Sequence, residues 1–281
     1  MTRTPPDPSA LSGDASARAA RGHLGGCTVV ITRPAGTGTE LARQVRALGG
    51  VPLLLPGMSL RGIDEPAQAR AQWRAAHGDD VLIFTSPAAV RYALALAPLQ
   101  RGHAAVVAVG RGTARALRRH GIQAQSPHAR EDSEGVLSLP ALQQAHGRRV
   151  AVITAPGGRG LLQQQLLAQG AKLREVYVYQ RTASRLNRRH AAAVLQLPPA
   201  ACVLLSSAEA IGNLKRQLPP QAWVRLCRAN AVVSSERIGA AAREAGFVHL
   251  YGAASAVQAD LLAAACEVCS QRCHEGGDAG C

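Results

Sequence analysis

The sequence predicts an α/β protein of two similar parallel-sheet domains joined by a two-stranded connector, with a ligand cleft between them. Three observations carry that expectation. Short apolar runs alternate with longer amphipathic stretches, a few βα units recur at nearly one spacing, and two strand-like segments have no helix to accompany them.

Strands are expected at Val29–Ile31, Val81–Phe84, Ala105–Val109, Val150–Ile153, Val176–Tyr179, Val203–Leu205, Ala231–Val233 and Val248–Tyr251. Helical spacing fills the gaps. Glu40, Leu41, Val45 and Leu48 share one face before Gly49-Gly50 stops the helix, and Thr113 to Arg119 is closed by Gly121. Strands that alternate with helices in this way form parallel sheets, which bind ligands beyond the carboxyl ends of their strands.

The repeat is the most informative feature. Ile31-Thr32-Arg33-Pro34 with its Gly-rich turn recurs 122 positions on as Ile153-Thr154-Ala155-Pro156. Phe84-Thr85-Ser86-Pro87-Ala88-Ala89-Val90 recurs more loosely 121 positions on as Leu205-Ser206-Ser207-Ala208-Glu209-Ala210-Ile211. Val106-Val107, running to His120-Gly121-Ile122, recurs as Val232-Val233 running to Ala245-Gly246-Phe247, with the glycines 125 apart. Such periodicity implies duplication.

Val51–Leu55, ending at Pro56, and Glu175–Tyr179 read as the two connecting strands. Domain A is then discontinuous, residues 27–56 plus 183–266, and domain B spans 60–178. The first 26 residues are rich in Ala, Ser, Pro, Gly and Arg without an apolar export segment, which predicts an unfolded tail. Residues 267–281 read as a flexible Cys- and Gly-rich tail.

Composition narrows the function. Hydrophobic residues at 47% suffice for two cores, while no apolar run reaches the roughly 18 residues that cross a bilayer. A cytoplasmic chain is expected. A net charge of +14 attracts anions, but an aromatic content of 3% leaves few platforms for stacking bases, which argues against a nucleic-acid partner. Four of the seven cysteines (Cys266, Cys269, Cys273 and Cys281) crowd the end of the chain, where Cys-x-x-Cys-x-x-x-Cys-His has zinc-ligand types but no second paired cluster. Cys202 and Cys227 read as buried small hydrophobes. No metal is expected.

Motif scanning removes several enzyme classes. Gly36-Thr37-Gly38 meets Leu41, and Gly110-Arg111-Gly112 meets Arg115, where a dinucleotide fingerprint needs glycine or alanine. No Walker lysine follows Gly157-Gly158, and no Gly-x-Ser-x-Gly or His-Glu-x-x-His occurs. What remains is a set of small polar turns at strand carboxyl ends: Thr32-Arg33, Thr85-Ser86, Gly110 to Thr113, Thr154 with Gly157-Gly158, Ser206-Ser207 and Ser234-Ser235. Each alone reads as a helix cap. Together their hydroxyls and free N–H groups could hold several carboxylates.

Ile31-Thr32-Arg33-Pro34, Phe84-Thr85-Ser86-Pro87-Ala88-Ala89-Val90, Ala108-Val109-Gly110 with Thr113-Ala114, Ser133-Glu134-Gly135-Val136-Leu137, Gly157-Gly158-Arg159 with Leu161-Leu162, and Val178-Tyr179-Gln180-Arg181 resemble the uroporphyrinogen-III synthase family over about residues 27–266. The resemblance implies two flavodoxin-like domains and a reaction without metal or organic cofactor. Hydroxymethylbilane would lose its terminal hydroxyl as water and close into a macrocycle with ring D inverted. It further implies a monomer acting on a small molecule, with no nucleic acid and no membrane. A non-catalytic module binding tetrapyrroles or other polycarboxylates is the rival reading.

By this resemblance Tyr179 assists departure of the hydroxyl, with Tyr177 a competitor two positions earlier. Arg33, Thr85, Ser86, Gly110, Thr113, Thr154, Gly158, Ser206, Ser207 and Ser235 would bind substrate. Where family members often carry a second Gly-x-x-Thr-Ala turn, this chain has Ser234-Ser235-Glu236-Arg237.

Overall fold

The computed structural model describes residues 24–100, 102–127, 133–157 and 160–275; the expected tail over residues 1–23 lies outside them, and its end is corrected, since Leu24 is buried in the core and its N–H bonds the Leu48 carbonyl. Along the chain run β1 (Thr28–Ile31), α1 (Thr39–Ala47), β2 (Val51–Leu54), β3 (Met58–Gly62), α2 (Pro66–Ala76), β4 (Val81–Phe84), α3 (Pro87–Leu96), β5 (Ala105–Ala108) and α4 (Arg111–Arg119). Then come α5 (Ser133–Leu137), β6 (Arg149–Thr154), α6 (Leu161–Ala168), β7 (Lys172–Tyr177), β8 (Tyr179–Ala183) and α7 (Arg188–Leu195). The last elements are β9 (Cys202–Leu205), α8 (Ala208–Gln217), α9 (Pro220–Cys227), β10 (Asn230–Val233), α10 (Glu236–Ala245), β11 (His249–Gly252) and α11 (Gln258–Glu275).

Two compact units result. Unit 1 takes the chain up to Ser59 and from Ala183 onward, and unit 2 is Leu60–Thr182. The sheet of unit 1 has the order β11-β10-β9-β1-β2 and is parallel throughout. Numbered within the unit this is 2-1-3-4-5, the flavodoxin-like order. The sheet of unit 2, also parallel, has the order β5-β4-β6-β7. Beside β5, Gln125 forms a single parallel bridge to Val107.

Both sheets are covered on both faces, which explains their continuous apolar strands. In unit 1, Val29, Ile31, Cys202, Leu204 and Val232 face one core, while Val30, Val203, Leu205, Ala231 and Val233 face the other. In unit 2, Leu82, Phe84, Ala151 and Ile153 alternate with Val81, Ile83, Val150 and Val152 in the same manner. Each fully buried aliphatic or aromatic side chain stabilises by about 1.5–3 kcal/mol. The seams between neighbouring strands are therefore rigid platforms for the turns above them.

The recurring sequences fall in matching places. β1 and β6, β9 and β4, and β10 and β5 carry the three repeated units, and β1 lies beside β9 as β6 lies beside β4. β2 and β7 flank them on one side. On the other side β11 has as its counterpart, among the described residues, the Gln125 bridge.

Two further expectations are corrected. Val51–Leu54 pairs in parallel with β1, and Lys172–Tyr177 pairs in parallel with β6, so neither is a connector. The two-stranded connector is β3 with β8, one segment later in each case. The chain turns between β2 and β3 at Gly57, where a Cβ would lie 2.5 Å from the Cβ of Ala210, so only glycine passes beneath α8. The second correction concerns residues 267–275 of the expected tail: α11 continues through Glu275, and Val268 and Cys269 are buried, while residues 276–281 lie outside the described residues. Leu261, Leu262, Ala265, Val268 and Cys269 keep helical spacing against β9 and β10, which docks the helix on the sheet as far as Cys269.

Candidate functional site

In a doubly wound sheet the crevice outside the strand carboxyl ends opens where the strand order reverses. In unit 1 that point lies between β1 and β9. Thr32, which follows β1 and is 3% exposed, donates from its hydroxyl to the carbonyl of Leu204 at 2.7 Å and so ties the two strand ends together. Arg33 comes next. Its side chain is half-buried, and its Nε is sealed from solvent with no hydrogen-bond partner among the described residues. Burial pulls the guanidinium below its ordinary pKa, yet an arginine remains protonated in proteins.

Ser206 and Ser207 follow β9 on the neighbouring strand, both half-buried. Ser207 caps α8 by accepting from the Ala210 N–H at 3.3 Å. Ser235, exposed at the end of β10, caps α10 by accepting from Ile238 N at 3.4 Å. Arg33 is thus, among the described residues, an unpaired cation on an edge otherwise lined by hydroxyls and helix N-termini, the surroundings that suit a carboxylate.

The corresponding point of unit 2 lies between β4 and β6. The Thr85 hydroxyl shares its proton between the Ile153 carbonyl at 3.1 Å and the Thr154 hydroxyl at 3.0 Å. Ser86 caps α3 by accepting from Ala89 N at 3.0 Å, and its hydroxyl lies 3.2 Å from the Tyr179 hydroxyl. Tyr179, at the start of β8, is only 6% exposed. Its ring stacks on Tyr92 with centroids 5.6 Å apart and planes 13° from parallel. Tyr92 is held in turn by a 2.7 Å hydrogen bond to the Leu60 carbonyl and by the Arg91 guanidinium over its ring.

Tyr177 is a different kind of group. It ends β7 and donates to Glu175 Oε2 at 2.6 Å, a bond that pushes its phenol above the usual range. A single strand face holding both tyrosines is therefore corrected. Val178 separates two strands, anchored by its N–H to the Thr154 carbonyl.

Gly110 is the buried N-cap residue of α4, and Thr113 in the first turn is 4% exposed. Both follow β5, beside β4. Thr85, Ser86, Thr154 and Tyr179 lie on the unit 2 edge in two hydrogen-bonded pairs, Thr85 with Thr154 and Ser86 with Tyr179, while Ser235 stands apart and exposed on unit 1. Gly158 lies outside the described residues. Neighbouring Gly157 adopts φ +74°, and its carbonyl and that of Pro156 accept from the Arg181 guanidinium. Thr32, Tyr92 and Arg181 hold these turns in place, through the Leu204 carbonyl, the Tyr179 ring and the Pro156 carbonyl respectively. Thr32 and Arg181 lie inside the quoted motifs, whereas nothing local marks Tyr92.

Residues 39–263 match the family model described as uroporphyrinogen-III synthase HemD. Uroporphyrinogen-III synthase of Escherichia coli (strain K12) is 31% identical over 247 residues, 84% of this chain and 99% of that protein. The enzyme of the same name from Salmonella typhimurium (strain LT2) is 33% identical over 248 residues, with coverage of 84% and 99%. Among solved structures, a mutant uroporphyrinogen III synthase from Thermus thermophilus superposes with a TM-score of 0.56 at 18% identity, covering 87% of this chain and 99% of that one. Uroporphyrinogen-III synthetase from Helicobacter pylori 26695 gives 0.54 at 15% identity, covering 89% and 99%. These two establish likeness of fold.

Proposed function

The chain belongs to the uroporphyrinogen-III synthase family, and on that premise we propose that it converts hydroxymethylbilane to uroporphyrinogen III, inverting ring D with loss of water. The reaction class is a hydro-lyase. The observation that carries the reading is similarity to the Escherichia coli enzyme over 99% of its length at 31% identity. Among the described residues no helix is long and apolar enough to cross a membrane, and the chain acts as a cytoplasmic monomer in this reading.

The chemistry needs three things from the protein. The carbon–oxygen bond of the terminal hydroxymethyl group must break, with a proton delivered to the departing oxygen. The resulting electrophile must meet the substituted carbon of ring D, forming a spirocyclic intermediate that fragments and recloses. The flexible chain must be held so that this carbon reacts in preference to its neighbour. The substrate's eight carboxylates are the handles, ionised at neutral pH.

The carboxyl edge of each sheet supplies partners for them. On unit 1, Arg33 offers charge and Ser206, Ser207 and Ser235 offer hydroxyls. On unit 2, Thr85, Ser86, Thr154, Gly110 and Thr113 offer hydroxyls and backbone N–H groups, and the expectation for Gly158 falls outside the described residues. Tyr179 is the proton donor, acting through its hydrogen bond with Ser86, since its own ring is packed against Tyr92. No metal is required for any step.

Purified protein fed hydroxymethylbilane should yield chiefly the type III isomer in an isomer-resolved product assay. Type I product alone, formed at the spontaneous rate, would reject the proposal.

A further inference from the structure

Cys27, Cys202 and Cys269 come from three distant parts of the chain and converge at the amino ends of the unit 1 strands. Cys27 immediately precedes β1, Cys202 opens β9, and Cys269 lies in α11 packed across them. Their three sulfurs lie within 4.8 Å of one another, with the Cys202 and Cys269 sulfurs 3.5 Å apart. All three are free thiols. Cys202 and Cys269 are buried, while Cys27 is half-exposed and leaves a way in.

Sulfurs around a tetrahedral ion with Zn–S bonds of about 2.3 Å stand about 3.8 Å apart. The cluster therefore needs only small side-chain adjustments to enclose one. Cys27 Sγ also lies 3.2 Å from the Ala200 carbonyl, to which its thiol donates.

A second observation points the same way. Asn230 is 1% exposed, and neither its Nδ2 nor its Oδ1 has a hydrogen-bond partner among the described residues. It is the register partner of Cys202 on the adjacent strand, about 4.8 Å away, and shares the sheet face of Cys202, Leu204 and Val232. A buried amide with both ends unsatisfied costs free energy unless something completes it. Thiolate sulfur accepts from amide N–H, as the outer partners of metal ligands commonly require.

We propose that Cys27, Cys202 and Cys269 bind one thiophilic d10 metal ion of the Zn²⁺ type, with the Asn230 amide hydrogen-bonding a coordinated sulfur. Cys266, buried one turn before Cys269, is within the same core to complete the shell. The site lies at the opposite end of the strands from Thr32 and Arg33, about 13 Å of β-strand away. Its role is to fasten α11 to the sheet, so it leaves the proposed reaction untouched and stands independently of it.

The test uses the full chain under reducing conditions, with Cys273 and Cys281 replaced by serine to remove the other thiols of the terminal stretch. Titrated with Co²⁺ as an optical stand-in for Zn²⁺, it should show a thiolate-to-metal charge-transfer band saturating at one ion per chain, and Zn²⁺ should raise its melting temperature. Cys27→Ser in that background should weaken binding at least tenfold while the metal-free melting temperature stays near the parent's. Asn230→Ala should weaken it several-fold. Absence of the band in the background chain, or equal affinity after Cys27→Ser, would overturn the proposal. Cys269→Ala, checked by melting for a retained fold, should weaken binding as strongly as Cys27→Ser, and undiminished affinity there would overturn it equally.

Discussion

Unit 1 and unit 2 place matching βα units at matching sheet positions, yet take them from the chain in a cyclically shifted order. In unit 1 the Ile31-Thr32 unit comes first and the Leu205-Ser206 unit follows far downstream; in unit 2 the Phe84-Thr85 unit comes first and Ile153-Thr154 second. The edges that result are alike in hydroxyls and different in chemistry. Unit 1 carries Arg33, an unpaired cation among the described residues, and unit 2 carries a clamped phenol, Tyr179. The difference teaches that one scaffold can be varied by changing only the turns at the ends of its strands; in the proposed reaction both edges hold carboxylates, unit 1 adding a cation and unit 2 the phenol that delivers the proton.

The largest expected effect tests whether the units stand apart at all. Phe84→Ala empties a fully buried site in unit 2 and should cost about 3–5 kcal/mol. The two tryptophans report separately, since Trp73 lies in the unit 2 core and Trp223 in that of unit 1. Thermal unfolding followed by Trp73 fluorescence, in the Trp223→Phe chain, should shift strongly, and unfolding followed by Trp223, in the Trp73→Phe chain, should shift less. Equal shifts would mean one cooperative block and erase the distinction.

Next in size is the cation. Arg33→Met keeps most of the stem but removes a charged hydrogen-bonding group worth about 1.5–3 kcal/mol, so KM for hydroxymethylbilane should rise roughly 10- to 150-fold with no loss of melting temperature. A KM within twofold of the parent would strip Arg33 of its role. Tyr179→Phe removes one hydroxyl and should lower kcat by about 2- to 12-fold at unchanged KM, the equivalent of about 0.5–1.5 kcal/mol. An effect on KM alone would make Tyr179 a binding group and the two edges equivalent. The smallest contrast compares the caps: Ser86→Ala and Ser207→Ala should each cost about 1 kcal/mol of stability, but only Ser86→Ala should also reduce kcat. Matching kinetic losses would contradict the assignment of proton transfer to unit 2.

Much of the architecture was legible because buried parallel strands advertise themselves. Val81–Phe84 and Val203–Leu205 are unbroken apolar runs, and the glycines and prolines around them set the boundaries. The connector was misplaced for the converse reason. Met58-Ser59-Leu60-Arg61-Gly62 and Tyr179-Gln180-Arg181-Thr182-Ala183 belong to a two-stranded ribbon without a deep core, so polar and apolar residues mix and no run stands out. At the site, Thr85, Ser86 and Tyr179 could be named from motifs, but the hydrogen bond between Ser86 and Tyr179 joins residues 93 positions apart. The isolation of Arg33 is likewise invisible locally, because it depends on which carboxylates the fold keeps away. The cysteines at 27, 202 and 269 show no metal-binding spacing since the fold itself supplies their proximity.

The insertion of unit 2 between β2 and β9 also sets a timetable for synthesis. Cys202, the first residue of the strand that pairs with β1, follows Leu54 by 148 positions. At about 5–20 residues per second, the ribosome leaves the inner edge of β1 waiting some 7–30 s, while the contiguous unit 2 emerges whole and can fold at once. The nascent chain thus holds an unpaired apolar strand pair for longer than most small domains take to fold. A chaperone that shields Val29, Val30 and Ile31 during that interval should raise the yield of active protein more than one that acts after release.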